Sequence, residues 1–122
     1  MMARFVFAQI CLISIISYNS YATVINVPGD YATIQAAVEA AVYGDEVVLA
    51  DGTYSGEGNY NIDILGKVIT VRSQSGNPEN CVIDVQGQHN GVAQRGFYLS
   101  NYEGNQTVIR DITIMNGVAD AP

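Results

Sequence analysis

The chain has no tryptophan, a single histidine, two cysteines, and only five lysine or arginine residues against twelve aspartate or glutamate. Each scarcity closes a route. Five scattered cations cannot form the clustered basic patch that neutralises phosphates, so nucleic acid is not an expected partner. His89 stands in a Gly/Asn/Gln-rich loop with no neighbouring cysteine, serine or second histidine, and is expected to be an exposed loop residue. Cys11 lies inside an apolar run near the start and Cys81 in a strand-like one (CVIDV). If the first run is removed on export, no internal disulfide can form, and Cys81 is expected to behave as a small buried hydrophobe. No apolar run reaches the ~20 residues that a transmembrane helix needs.

The first residues have the layout of a secretory signal peptide. Residues 1–4 carry the positive charge of Arg4, residues 5–17 form the apolar segment, and Ser20 and Ala22 supply small residues before a cleavage point between Ala22 and Thr23. Residues 1–22 are therefore expected to leave. The mature chain would be secreted or lie at the cell surface, with no stable membrane insertion. Removing Arg4 takes the charge to four minus twelve, or −8. The acids are scattered, so a solvated surface is the expected reason for most of them.

One stretch, residues 30–54, differs from the rest. Ile34, Ala37, Val38 and Ala41 recur at helical spacing, with Gln35 and Glu39 on the opposite face. Asp30 or Thr33 can serve as the N-cap, and Gly44 is the expected C′ residue. After it come short alternating or β-branched runs at residues 46–50, 61–65, 67–72, 81–85, 96–100 and 111–116, and no second helical period. Hairpin chemistry is weak, although Asp51-Gly52, Asn90-Gly91 and Asn116-Gly117 occur. If three strands make one turn of a stack, Leu49, Val71 and Ile114 are expected at equivalent positions of successive turns. The interval from Val71 to Ile114 is the longer of the two, so the second turn carries enlarged loops at residues 86–95 and 101–107. An open stack end exposes apolar core and unpaired strand groups, so the helix is expected to be its cover.

The ordered set YATIQAAV (31–38), GDEVVL (44–49), DGTY (51–54), GKVITVRS (66–73), VID (82–84) and DITIMNG (111–117) resembles the N-terminal part of the pectin lyase-like superfamily. The resemblance implies an all-β, right-handed parallel β-helix of about two coils with an N-terminal capping α-helix, spanning residues 23–122. Asn116 would join an inward asparagine stack. Pectin methylesterases share this opening plan, but their catalytic glutamine, aspartates and arginine follow the last matching strand, so no catalytic residue carries over. The sequence ends soon after Asn116-Gly117, and the remaining coils are expected in a longer chain.

Candidate sites are few. Tyr54, Tyr60, Tyr98 and Tyr102 could stack on sugars, since tyrosine joins a flat apolar body to a polar tip. Tyr54 is expected to pack in its turn and Phe97/Tyr98 to straddle a sheet, leaving Tyr60 and Tyr102, both in loops, as the ligand-binding candidates. Asp63, Asp84 and Asp111 carry the oxygen ligands that Ca2+ prefers, but metal sites need convergent ligands and these acids read as solvent-facing, so no metal or other cofactor is expected. Asn105-Gln106-Thr107 formally matches an N-glycosylation acceptor. The sequence thus points to a non-catalytic extracellular module, polysaccharide-binding or adhesin-like. The alternative is the front of a pectin esterase or polysaccharide lyase whose catalytic residues lie beyond residue 122.

Overall fold

A computed structural model of the chain describes residues 21–118. The expected leader, apart from Tyr21 and Ala22, and Cys11 with it, lies outside the described residues. What is described is mostly strand, with one α-helix. In chain order the elements are β1 (Val24–Val27), α1 (Ile34–Ala40), β2 (Glu46–Leu49), β3 (Gly52–Tyr54), β4 (Ile62–Asp63) and β5 (Thr70–Ser73). A 3-10 turn at Pro78–Asn80 then leads to β6 (Cys81–Asp84), β7 (Gln88–His89), β8 (Val92–Ala93), β9 (Phe97–Tyr98), β10 (Val108–Arg110) and β11 (Thr113–Met115). Among the described residues, no helix is long and apolar enough to cross a membrane.

Three of the four sheets are parallel: β1-β2-β5-β10, β3-β6-β11 and β4-β9. The chain visits them in a fixed order, through β2, β3 and β4, then β5, β6 and β9, then β10 and β11. Side-chain alternation directs every second residue inward. Ile25, Val47, Val71 and Ile109 therefore line up across the first sheet, and Tyr54, Ile83 and Ile114 across the second. These inner faces, apart from the half-exposed Ile114, form one core with Ile62, Ile64 and Val85.

The register differs from the expected alignment. Val71 pairs with Val47, not Leu49, and on its other side with Ile109, not Ile114. Leu49 lies opposite Ser73, and Ile114 pairs with Ile83 in the second sheet. Val47 and Leu49 point to the same face of β2, so alternation alone cannot choose between them. The hairpin reading also changes. Asn90 and Gly91, with φ of 52° and 75°, form the tight turn of the antiparallel ribbon β7-β8, as two left-handed residues in sequence allow.

The helix is held from outside itself. Seven residues are too few for a stable isolated helix. Ile34, Ala37 and Val38 are fully buried against the strands, each large apolar side chain contributing ~1.5–3 kcal/mol. Thr33 is the N-cap, accepting from the Ala36 amide at 3.3 Å, while Asp30 bonds back to the Asn26 amide at 2.7 Å. The body supplies two more acceptors: Asn59 Oδ1 for the Ile34 amide at 3.1 Å and the Gly58 carbonyl for the Gln35 amide at 2.8 Å. A Cβ at Gly58 would lie 2.9 Å from that of Thr33, so this crossing requires glycine.

At the other end, the expected Gly44 cap is not used. The helix stops at Ala40, Ala41 is extended, and Gly44 takes φ 89° in the following turn. Lys67 does the capping. Its ammonium donates to the carbonyls of Val38, Glu39 and Ala41 at 2.9, 2.7 and 2.8 Å, using all three of its protons on groups a helix end leaves unpaired. On the helix's outer face, Gln35 accepts from the Asp63 amide at 2.9 Å and donates to the Asp63 carbonyl at 3.3 Å. Its carboxamide completes the edge of β4 as a strand's peptide group would. α1 thus covers the start of the third sheet.

Candidate functional site

The four tyrosines are dispersed. Tyr54 is buried, and its hydroxyl proton is shared between the carbonyls of Ala50 at 2.7 Å and Val27 at 3.0 Å. Burial, with the nearby Cys81 and Asp51, pushes its phenol up to about 12. Tyr98 lies half-buried on β9, with the Arg95 guanidinium 5.4 Å above its ring. Tyr102 is fully exposed in a left-handed backbone conformation and lies outside the cleft that Tyr60 borders. Tyr60 is different: half-buried, its ring packs against the core, and it borders an open cleft of about 620 Å³.

The cleft gathers side chains from four parts of the chain: Gln35 from α1, Glu57 and Tyr60 with Asn61 from the loop before β4, His89 from β7, and Gln94 after β8. His89 reaches the cleft from β7, which the tight Asn90-Gly91 turn joins to its partner β8. Three of the polar groups are spent on structure. Gln35 is committed to Asp63, as described above. Asn61 accepts from the Arg95 amide at 2.8 Å through Oδ1 and donates through Nδ2 to Gln94, whose own Nε2 donates to the Val92 carbonyl at 3.0 Å. The side chains of Glu57, Tyr60 and His89 make no hydrogen bond among the described residues, so their donors and acceptors are available to a ligand. Among the described residues, no lysine or arginine lines the cleft.

The acids expected at the surface serve turns. Asp63 Oδ1 accepts from the Leu65 amide at 2.8 Å and from the Asn101 side chain at 3.1 Å. Asp84 Oδ1 repeats the arrangement with the Gln86 amide at 3.0 Å and the Asn116 side chain at 2.8 Å. In both, two left-handed residues follow, Leu65-Gly66 and Gln86-Gly87. Hydrogen bonds from Asn116, then Gln86, hold the Asp84 carboxyl below its ordinary value against a smaller desolvation effect. Asp111 pairs with its neighbour Arg110. Among the described residues, no three histidine, cysteine, aspartate or glutamate groups converge on a common point.

Asn116 is exposed and serves Asp84, and it is not part of an inward stack. Its position follows from the left-handed turn at φ 58°, which points the side chain along the surface. Cys81 is fully buried; desolvation, with Asp51 adding to it, raises its thiol to about 11, which leaves it protonated and unreactive near neutral pH. The residues missed by sequence reasoning are Glu57 and the participation of His89 beside Tyr60. No local signal marks them: the repeated I-D-x-x-G at residues 62–66 and 83–87 gives turns of similar local geometry after strands of two different sheets.

Comparisons with protein-family models, with curated proteins and with solved structures find no match to this chain.

Proposed function

We propose that the chain is the capped start of an exported parallel β-helix that binds polysaccharide without acting on it, through the cleft around Tyr60. The β-helix reading draws on the fixed order in which the chain visits three parallel sheets, and on a helix in place of the first strand of the third. The binding reading rests on one observation: a partly exposed aromatic ring beside two side chains, Glu57 and His89, whose hydrogen-bonding groups have no partner among the described residues. Sugar rings stack their C–H faces on such a ring while their hydroxyls take polar partners at its edge. With one carboxylate and no lysine or arginine in the lining, the cleft suits neutral glycans over uronates, whose negative charge Glu57 would repel.

Titration calorimetry with neutral β- and α-linked oligosaccharides and with oligogalacturonate tests the proposal. Tyr60→Ala is expected to weaken neutral-glycan binding at least about tenfold, or ~1.4 kcal/mol, with Tyr102→Ala unchanged. Absence of binding to any glycan, or equal losses for the two variants, would remove the proposal; tighter binding of oligogalacturonate would remove the charge argument alone.

A further inference from the structure

The Asp45 carboxylate presents an electrostatic imbalance. It is only 4% exposed, a position where an ionised group needs strong compensation. Its Oδ2 accepts from the Val42 amide at 2.9 Å and its Oδ1 from the Thr23 amide at 2.9 Å. Its own amide donates to the Val42 carbonyl at 3.0 Å and its carbonyl accepts from the Thr70 amide at 3.0 Å, so the side chain is fixed in place. Among the described residues, no cation lies within salt-bridge distance of it. The nearby charges are committed elsewhere: Lys67 caps the helix, and Glu46, the next residue, turns to Arg72 at 2.8 Å.

The atom that touches Oδ1 is the nitrogen of Thr23, the residue at which the signal-peptide pattern places the start of the mature chain. Thr23 is held there on both sides of its Cα, since its carbonyl accepts from the Glu46 amide at 2.9 Å. Tyr21, Ala22 and Thr23 are exposed and in no strand or helix.

We propose that removal of the leader after Ala22 turns this nitrogen into an ammonium and gives Asp45 its missing counter-ion, so that maturation itself completes the covered end of the fold. The step is hydrolysis by a peptidase of the export pathway. Water adds across the Ala22–Thr23 peptide bond, the leader leaves with a carboxylate, and the nitrogen, protonated at neutral pH, stays on Thr23. A hydrogen bond in which only the carboxylate is charged is replaced, at the same position, by one in which donor and acceptor are both ionised. An N-terminus one residue earlier would carry the charge about 3.8 Å away and keep only the amide contact, and one residue later would remove this nitrogen.

The test uses the full chain, exported and purified. Intact mass and N-terminal sequencing are expected to show Thr23 as the first residue. A limiting amine-reactive ester near pH 7 is expected to label its α-amine at least about threefold more slowly than in exported Asp45→Asn, because pairing with a carboxylate lowers the fraction of free amine. If Asp45→Asn does not accumulate, a chain whose mature form keeps one alanine ahead of Thr23 supplies the comparison. A product beginning elsewhere overturns the proposal through the leader reading on which it rests. A product beginning at Thr23 that labels equally fast in the wild type and the comparison protein overturns the ion pair and leaves the leader reading intact.

Discussion

The two ends of the strand stack are built differently. At the first end, β1 and α1 lie over β2 and β4, Ile34 and Val47 are fully buried, and both helix termini are closed by Thr33, Asn59 and Lys67. At the other, β10 and β11 are the edge strands of their sheets, and Val108, Ile114 and Met115 stay 37–47% exposed. The same alternation of residues that buries Val71 leaves Ile114 half in solvent. Position in the stack, not residue type, sets how much an apolar side chain contributes.

The contrast can be broken most directly with truncations. Leu49→Ala, in the covered half, should cost ~2–5 kcal/mol by chemical denaturation, whereas Ile114→Ala should cost under ~1 kcal/mol. Similar losses would mean that β11 is as well covered in solution as β2.

A smaller effect is expected at Lys67. Replacing it with methionine keeps the stem but strands three carbonyls at the helix end, for a loss of ~1–3 kcal/mol. The same change at the exposed Arg110 should be close to neutral. Equal midpoints for the two variants would show that the helix does not depend on its external cap.

The pH dependence sharpens the same picture. The folded state raises the Tyr54 phenol from 10.0 to about 12, so it holds that proton more tightly than the unfolded chain does. This contribution is fully present below pH 10 and is lost as pH rises toward 12. Cys81, raised from 9.0 to about 11, adds a loss of the same sign in a slightly lower window. Tyr54→Phe should flatten the alkaline limb of stability above pH 10, and an unchanged limb would contradict the burial argument.

Much of this was legible beforehand. The helical spacing of Ile34, Ala37 and Val38, the strand character of residues 46–50 and the burial of Cys81 follow from local pattern and hold in the structure, with Ala41 falling just outside α1 and Ala50 just outside β2. The helix terminus was not legible, because its cap, Lys67, is remote in sequence from Ala41, and local rules favour a nearby glycine. The register on β2 shifted from Leu49 to Val47 because both face inward and alternation treats them alike. Of the two tyrosines singled out, Tyr60 is half-buried at the border of a cleft and Tyr102 is fully exposed, a distinction both loops conceal in sequence.

What the sequence determined alone is local: most of the strand segments, though not β7, β8 or β10, which segment is helix, and which side chains are apolar enough to face inward. Those follow from backbone sterics and residue spacing, which act over a few positions. Only the tertiary structure decided that Gln35 closes a sheet edge, that Asp45 meets the Thr23 nitrogen, and that His89 joins Tyr60 and Glu57. Those contacts join distant parts of the chain, and hydrogen bonds and charge pairs depend on separations of a few ångströms that no one-dimensional pattern encodes.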